Sequence, residues 1–277
     1  MKIINKISEL QYELNKNKNS LGLVPTMGKL HNGHRALIHK AREDNDFLAV
    51  SLFVNPSQFG SNEDFSKYPK DIKIDLEILK SDNVDLVFTP DIEEIYPHNF
   101  STKVVIEGLT QIYEGKYRPG HFDGVSTIVT KLFALFKPNK AYFGAKDAQQ
   151  CAVVKRLNKD LNLGVEVFIC PTIRDKDGLA LSSRNSYLNI KQRYAAVLIS
   201  EGLFKALELF QLGENNVSLL CRKTRSVIES NSLLEIDYID IVNRDTFQKY
   251  INVGSNSIMI VAVRIGDIRL IDNIEIR

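Results

Sequence analysis

Two histidines, His31 and His34, stand three residues apart around Gly33, shortly after an apolar run at residues 21–27. An apolar run of this length followed by a glycine-containing turn is typical of a strand that leads into a helix. One helical turn directs both imidazole rings towards the same point, and the helix start adds N–H donors and a positive dipole end. The spacing therefore predicts a phosphate site that stabilises charge developing on an α-phosphate and its pyrophosphate leaving group. The alternative is a histidine pair with a structural role.

Two further polar segments could contact phosphate. Residues 144–147 (Gly-Ala-Lys-Asp) follow an apolar run and precede a helical pattern. The point charge of Lys146 at a helix start suits a mobile phosphate, whereas an N-cap role explains Asp147 equally well. Residues 182–184 (Ser-Ser-Arg) supply two hydroxyls and a fork-shaped cation, which favours a clamp on a triphosphate. A capping motif is the alternative there.

Amide side chains follow the second apolar run. Asn55 and Gln58 stand in the segment after residues 47–54, where neutral amides can donate to a carboxylate or hydroxyl without attracting every anion. A turn made by Asn55 and Pro56 is the alternative. Tyr68 fits the rim of a substrate pocket and an ordinary packing position equally well.

The elements that must position these residues alternate along the first part of the chain. Strand-like apolar runs at residues 21–27, 47–54, 84–89, 141–143 and 165–169 alternate with helical patterns at 36–44, 72–81, 125–136 and 148–161. This alternation predicts an α/β fold: a Rossmann-like, mostly parallel sheet with helices on both faces. Ligands of such sheets bind beyond the carboxyl ends of the strands, where the polar segments stand.

The pattern changes after residue 174. Helical patterns at 190–210 and 217–230 precede strand-like runs at 238–242, 258–263 and 268–276. Helices followed by strands predict a smaller α+β domain. We therefore expect two domains, residues 1–174 and residues 175–277.

Composition excludes several classes of function. The net charge of +2 over 277 residues is too small for a protein whose main partner is nucleic acid. Cys151, Cys170 and Cys221 are odd in number without a CxxC spacing, which argues against a disulfide framework or a zinc site. The longest apolar runs are too short to cross a membrane as helices. A reducing cytoplasm is the expected location.

The strings around these residues resemble a known family. HxGH after such a strand is similar to the nucleotidylyltransferase superfamily, which transfers AMP from ATP, and the longer string at residues 25–34 (PTMGKLHNGH) resembles the pantothenate synthetase family. The resemblance continues at residues 53–59, 64–69, 118–125, 143–150, 171–174 and 177–185. It covers about residues 21–190, and the last third of the chain adds little to it.

The resemblance implies ATP-dependent condensation of (R)-pantoate with β-alanine to pantothenate, AMP and pyrophosphate through a pantoyl adenylate. It implies a homodimer, and a second domain that closes over the first as a lid. Residues implied in catalysis are His31, His34, Lys146 and Arg184. Residues implied in ATP binding are Met27, Gly28, Lys29, Leu30, His31, Asn32, Gly33, His34, Gly144, Ala145, Lys146, Asp147, Ile173, Leu181, Ser182, Ser183 and Arg184. Those implied in pantoate and β-alanine binding are Gln58, Gln150, Asn55 and Tyr68. No dedicated protein cage for a metal is implied; Mg²⁺ is held mainly by the ATP phosphates, with Asp147 as a candidate ligand.

Four positions depart from the family pattern: Lys29, Asn32, Ala145 and Leu181. None removes a group proposed to do chemistry, so we expect them to change nucleotide affinity rather than reaction type. Two rival functions remain. One is another HxGH nucleotidylyltransferase, which stops at nucleotide transfer to a phosphate and leaves the glutamines unexplained. The other is a sensor or nucleic-acid-binding module that kept a nucleotide fold, against which the small net charge argues.

Overall fold

The structure is a computed structural model that describes residues 1–60, 63, 65, 68–69 and 71–277. Asp64, Ser66 and Lys67 of the string at 64–69 lie outside the described residues. The chain divides into two compact units, Met1–Gly144 with Val153–Cys170, and Ala145–Ala152 with Pro171–Arg277. The domain boundary expected at residue 174 stays a prediction.

The first unit is built on a parallel sheet. Its strands are β1 (Lys2–Ile4), β2 (Leu21–Thr26), β3 (Phe47–Leu52), β4 (Leu86–Phe88), β5 (Lys140–Gly144) and β6 (Glu166–Cys170). They lie in the order β1-β4-β3-β2-β5-β6, and every pairing is parallel. Its helices are α1 (Ile7–Lys16), α2 (Asn32–Asp44), α3 (Ile72–Ser81), α4 (Ile92–Ile95), α5 (Glu114–Tyr117) and α6 (His121–Phe136), together with the part of α7 (Ala148–Asp160) from Val153 onward. The predicted α/β fold is confirmed.

The strands end at one edge because they run parallel. Thr26 at the end of β2 lies opposite Leu52 at the end of β3, so the loops that start at residues 27 and 53 begin side by side. Apolar side chains bury both strands; Leu23 and Val50 are fully buried. Each buried CH₂ group stabilises the folded state by about 0.8 kcal/mol. This burial holds the two strands in place and so fixes where the two loops start.

Several predicted bounds need correction. Helices α2 and α6 each begin four residues before the predicted starts at 36 and 125, since His31 caps α2 and the left-handed Gly120 precedes α6. The strand predicted at 47–54 ends at Leu52. Strand β1 and helix α1 were not predicted. Strand β1 has only three residues, whereas Ile7, Leu10 and Leu14 of α1 do have the spacing of an amphipathic helix.

The second unit is the predicted α+β part. Helices α8 (Ile190–Gln211) and α9 (Val217–Ile228) precede β7 (Glu235–Asn243), β8 (Ser257–Ile265) and β9 (Ile268–Ile276). The three strands form an antiparallel sheet with β8 in the centre. Strand β8 and the two helices share a core that includes Leu203, Leu220 and Val261. Among the residues that the structure describes, no helix is long and apolar enough to span a membrane.

Candidate active site

The two histidines cap the start of α2 and hold each other in place. His31 is the N-cap residue, and its Nδ1 accepts from the backbone N–H of Gly33 at 3.1 Å. His34 Nδ1 accepts from the backbone N–H of His31 at 3.3 Å, which closes a reciprocal capping box. The ring centroids are 4.1 Å apart. Because each Nδ1 accepts, each neutral ring carries its proton on Nε2 and can donate from that atom.

A buried carboxylate shapes the turn before the histidines. Asp75 of α3 is 3% exposed and accepts the backbone N–H groups of Lys29 at 2.8 Å and Leu30 at 2.7 Å. Gly28 has φ +84°, and a Cβ there would lie 2.9 Å from Asp75 Oδ2. Only glycine adopts this backbone without cost. Asp75 therefore sets the path of the loop that leads into α2.

Gln58 lies beside this loop, in a short 3₁₀ turn at Pro56–Gln58. Its Oε1 accepts from Asn55 Nδ2 at 3.0 Å, and its Nε2 lies 3.3 Å from Met27 Sδ. A thioether sulfur is a weak acceptor, so the amide N–H₂ suits a carboxylate or hydroxyl better than its present partner. The structure thus brings together the segments after β2 and β3.

The Asn55 side chain forms its hydrogen bonds with other groups of the protein. Its Nδ2 donates to Gln58 Oε1 and to the carbonyl of Gly124, and its Oδ1 accepts from the hydroxyls of Ser57 and Tyr96. These four bonds, within a nearly fully buried side chain, orient Gln58. The arrangement favours a positioning role for Asn55 over direct contact with a substrate.

Helix α6 supports the same turn from behind. A Cβ at Gly124 would lie 2.4 Å from the carbonyl carbon of Ser57 and 2.5 Å from the nitrogen of Gln58. His121 Nδ1 lies 2.8 Å from the Gln58 carbonyl, to which it must donate, so Nε2 accepts from Arg118 Nη1 at 3.1 Å. Burial and the neighbouring Arg118 charge lower the pKa of His121 to about 4. The ring is therefore neutral at pH 7 and fixed in one tautomer.

The lowered pKa of His121 predicts that the folding stability depends on pH. The folded state keeps His121 neutral down to about pH 4, whereas an unfolded chain protonates it near pH 6.5, so folding stability falls as pH drops between these values. The full loss amounts to about 3 kcal/mol. Urea unfolding at pH 7 and pH 4.5 should show a smaller loss for His121→Gln than for the parent. Equal losses would contradict the assignment.

In the second unit, Lys146 and Asp147 immediately precede α7. The carbonyl of Asp147 accepts the backbone N–H of Cys151 at 3.0 Å, which places Asp147 at the N-cap position. Lys146 Nζ lies 3.9 Å from Asp147 Oδ1, and the Lys146 side chain is mostly buried. Lys146 also lines a small pocket together with Ser182, Asn185 and Asp272.

The serine segment forms a 3₁₀ helix at Ser183–Tyr187. Ser182 caps it by accepting the backbone N–H of Arg184 at 3.3 Å, so its capping role is observed and its side chain also borders the Lys146 pocket. Upstream, the backbone N–H of Leu181 donates to the carbonyl of Ile173 at 3.0 Å. The structure thus brings Lys146 and Ser182 to one pocket.

The remaining predicted residues are placed as follows. Gly144 ends β5, Asn32 is exposed at the start of α2, and Gln150 is half-buried in the first turn of α7. Tyr68 is buried, with its ring 5.8 Å from the ring of Phe59. The place of Tyr68 at the rim of a substrate pocket stays a prediction.

Three residues that organise these segments were not singled out from the sequence: Asp75 and Arg118 in the first unit, and Asn273 in the second. Arg118 pairs with Glu63 through Nε–Oε1 at 2.9 Å and Nη2–Oε2 at 2.6 Å. Asn273 of β9 donates to the carbonyls of Ala145 and Lys146. The string at 118–125 gave a signal for Arg118, whereas no local pattern marked Asp75 or Asn273.

Comparison with known proteins finds similarity over nearly the whole chain. Residues 2–275 match the sequence model of the family described as pantoate-beta-alanine ligase. A pantothenate synthetase of Acetivibrio thermocellus is 46% identical over 277 residues, covering 99% of each chain. Another, of Fervidobacterium nodosum, is 48% identical over 271 residues, covering 98% of this chain and 96% of its own.

Solved structures are similar over the whole chain. The pantothenate synthetase of Thermus thermophilus has a TM-score of 0.97 and 42% identity, covering 100% of this chain and 99% of its own. A pantoate-beta-alanine ligase of Francisella tularensis, complexed with beta-gamma ATP and beta-alanine, has a TM-score of 0.81 and 36% identity. That alignment covers 99% of this chain and 97% of the Francisella protein.

Proposed function

Since the chain belongs to the pantoate-beta-alanine ligase family, we propose that it joins (R)-pantoate to β-alanine with cleavage of ATP, releasing AMP and pyrophosphate. The observation that carries the proposal is the reciprocal capping of His31 and His34. It fixes two Nε2–H donors at a helix start, where developing phosphate charge is stabilised.

The reaction has two steps. An oxygen of the pantoate carboxylate attacks the α-phosphorus of ATP, forming a P–O bond as the bond to pyrophosphate breaks. The amine of β-alanine then attacks the acyl carbon of this pantoyl adenylate, and AMP leaves with the shared oxygen. The amine loses a proton in that step, and no covalent enzyme intermediate is required.

Each residue group has a proposed role. His31 and His34 donate to the phosphate oxygens on which charge grows, and Lys146 and Arg184 add fixed positive charge. Gln58 and Gln150 hold the hydroxyl and carboxylate groups of pantoate, and Asn55 orients Gln58 through its bond to Oε1. Tyr68 closes the side of the substrate pocket, and the second unit acts as a lid.

Mg²⁺ fits the donors that are present. Magnesium prefers oxygen ligands and is commonly held by one or two carboxylates together with substrate phosphates. Asp147 offers a carboxylate that is 49% exposed, next to Lys146. We infer that Mg²⁺ would be held mainly by the ATP phosphates, with Asp147 as the candidate protein ligand, and would neutralise phosphate charge.

Assembly and location also belong to the proposal. We infer a homodimer, which sedimentation equilibrium tests directly, and a cytoplasmic enzyme, in keeping with three cysteines that form no disulfide in the structure. Small molecules are the proposed substrates, and no nucleic acid or membrane partner is proposed.

Product analysis tests the function. Purified protein with ATP, Mg²⁺, pantoate and β-alanine should form pantothenate, AMP and pyrophosphate in equal amounts, as measured by mass spectrometry. Sustained AMP release should require β-alanine. Nucleotide transfer to a phosphate-bearing acceptor, without amide formation, would instead identify another nucleotidylyltransferase activity.

Isotope exchange tests the order of steps. With ATP, Mg²⁺ and pantoate but no β-alanine, labelled pyrophosphate should enter ATP, because the first step is complete and reversible without the amine. Omitting pantoate is the control and should abolish exchange. No exchange in a preparation that is fully active with β-alanine would contradict a separate adenylation step.

A further inference from the structure

Asn273, near the end of β9, holds the turn that carries Lys146. The side chain is 6% exposed. Its Nδ2 donates to two successive backbone carbonyls, those of Ala145 at 2.9 Å and Lys146 at 2.8 Å. A primary amide has two N–H hydrogens, so Asn273 commits both of them to this turn. The two accepting peptide groups lie on either side of the Lys146 Cα.

Two fixed peptide groups define the conformation of the residue between them. A trans peptide is planar, with its N–H opposite its C=O. Holding the carbonyls of Ala145 and Lys146 therefore sets φ and ψ of Lys146 and directs the N–H groups of Lys146 and Asp147 away from Asn273. The direction of the Lys146 Cα–Cβ bond is set as well, and with it the start of the chain that carries Nζ.

Asn273 is itself fixed by its neighbour. Asp272, whose side chain is 2% exposed, accepts from Arg174 through two bonds of 2.6 and 2.9 Å, and its Oδ1 accepts the Asn273 N–H at 2.7 Å. Arg174 Nη2 also donates to the carbonyl of Asn273 at 3.0 Å. A buried ion pair that satisfies further hydrogen bonds is geometrically rigid. These bonds fix the position of Asn273 within the second unit.

We propose that Asn273 is a positioning residue for the adenylation step, acting through the backbone of Ala145 and Lys146 to hold the Lys146 ammonium where it meets ATP phosphate. The inference rests on the proposed role of Lys146 as a phosphate ligand. The proposal assigns β9 a role in positioning a phosphate ligand, which the sequence of this strand did not indicate.

A double-mutant cycle tests the proposal on the full-length protein. Asn273→Ala should lower kcat/KM for ATP in adenylate formation by roughly 10- to 100-fold, since displacing a catalytic group by about 1 Å costs on the order of 100-fold. Calorimetric ATP affinity should fall with it. In a Lys146→Ala background, Asn273→Ala should change either quantity by no more than about twofold.

Two further variants separate positioning from folding. Asn243→Ala is the matched control, because Asn243 of β7 bonds Tyr250 and the backbone of Asp245 and Thr246 instead; its adenylation should match the parent. Asn273→Leu keeps nearly the shape of the side chain without the amide donors and adds no buried charge, so it should lose activity as Asn273→Ala does, with circular dichroism to show that each variant folds.

The outcomes distinguish this inference from the proposed function. An equal effect of Asn273→Ala in both backgrounds would show that Asn273 does not act through Lys146. Full activity of Asn273→Ala and Asn273→Leu, with Lys146→Ala impaired, would overturn the inference while leaving the proposed role of Lys146 intact. Full activity of Lys146→Ala would overturn both.

Discussion

Replacing His34 with alanine is expected to lower single-turnover adenylate formation by about 10²–10³-fold while ATP affinity stays near that of the parent. The ring is proposed to face charge that grows only as pyrophosphate departs, so its bond is stronger in the transition state than with bound ATP. Loss of one donor to such charge typically costs about 2.7–4 kcal/mol. Rapid-quench adenylate measurements beside calorimetric ATP titration separate the two quantities.

Structural effects of the change must be separated from chemical ones. His34 Nδ1 also accepts the backbone N–H of His31, so alanine removes half of the capping box, at a cost of about 1 kcal/mol. Glutamine at this third helical position can keep the capping bond, so His34→Gln should retain helix stability yet lose adenylation.

His39→Ala provides a control on the same helix. His39 is exposed, with Nε2 3.1 Å from Asp82 Oδ1, and it has no proposed role in the reaction. We expect its replacement to leave activity close to that of the parent. A folded His34→Ala enzyme within a few-fold of the parent would show that the histidine pair has only a structural role.

The second large effect is expected at Gln58. Gln58→Ala should lower kcat/KM for pantoate by about 5- to 150-fold, which corresponds to about 1–3 kcal/mol for a stranded polar group. ATP affinity should change little, because Gln58 is proposed to contact the acid alone. Gln150→Ala should act in the same direction. Steady-state kinetics with pantoate varied at saturating ATP measures the loss.

A matched glutamine tests whether that effect is specific. Gln111 is exposed in the first unit. Gln111→Ala should leave both kcat/KM for pantoate and the affinity for ATP unchanged. If Gln58→Ala weakened ATP binding as much as use of pantoate, the amide would have been assigned to the wrong ligand.

Local sequence patterns were sufficient to predict the main architecture and the segments that carry the candidate catalytic residues. The alternation of apolar runs and helical patterns predicted the parallel sheet, and α3 has the predicted bounds, residues 72–81. The strand-turn-helix interpretation of His31 and His34 predicted that their rings come together, and the centroids are 4.1 Å apart. These features depend on residues that are close in sequence, so they can be recognised from the sequence alone.

Contacts between distant residues could not be predicted in this way. Asp75 lies on an amphipathic helix where the pattern suggests solvent, yet it is buried while Ile72 and Ile74 of the same helix are half exposed. Its partners, the N–H groups of Lys29 and Leu30, stand more than forty positions earlier. Asn273 likewise resembles a polar residue of an ordinary strand until its two carbonyl partners are seen.

Transfer of an oxygen atom tests the adenylate mechanism most directly. Pantoate labelled with ¹⁸O in its carboxylate is incubated with ATP, Mg²⁺, β-alanine and the protein, and the products are analysed by mass spectrometry. The mechanism predicts that each AMP carries one ¹⁸O atom from pantoate, since the attacking oxygen leaves with AMP when the amide forms. Pantothenate formed together with unlabelled AMP, or with label in inorganic phosphate and release of ADP, would contradict a pantoyl adenylate.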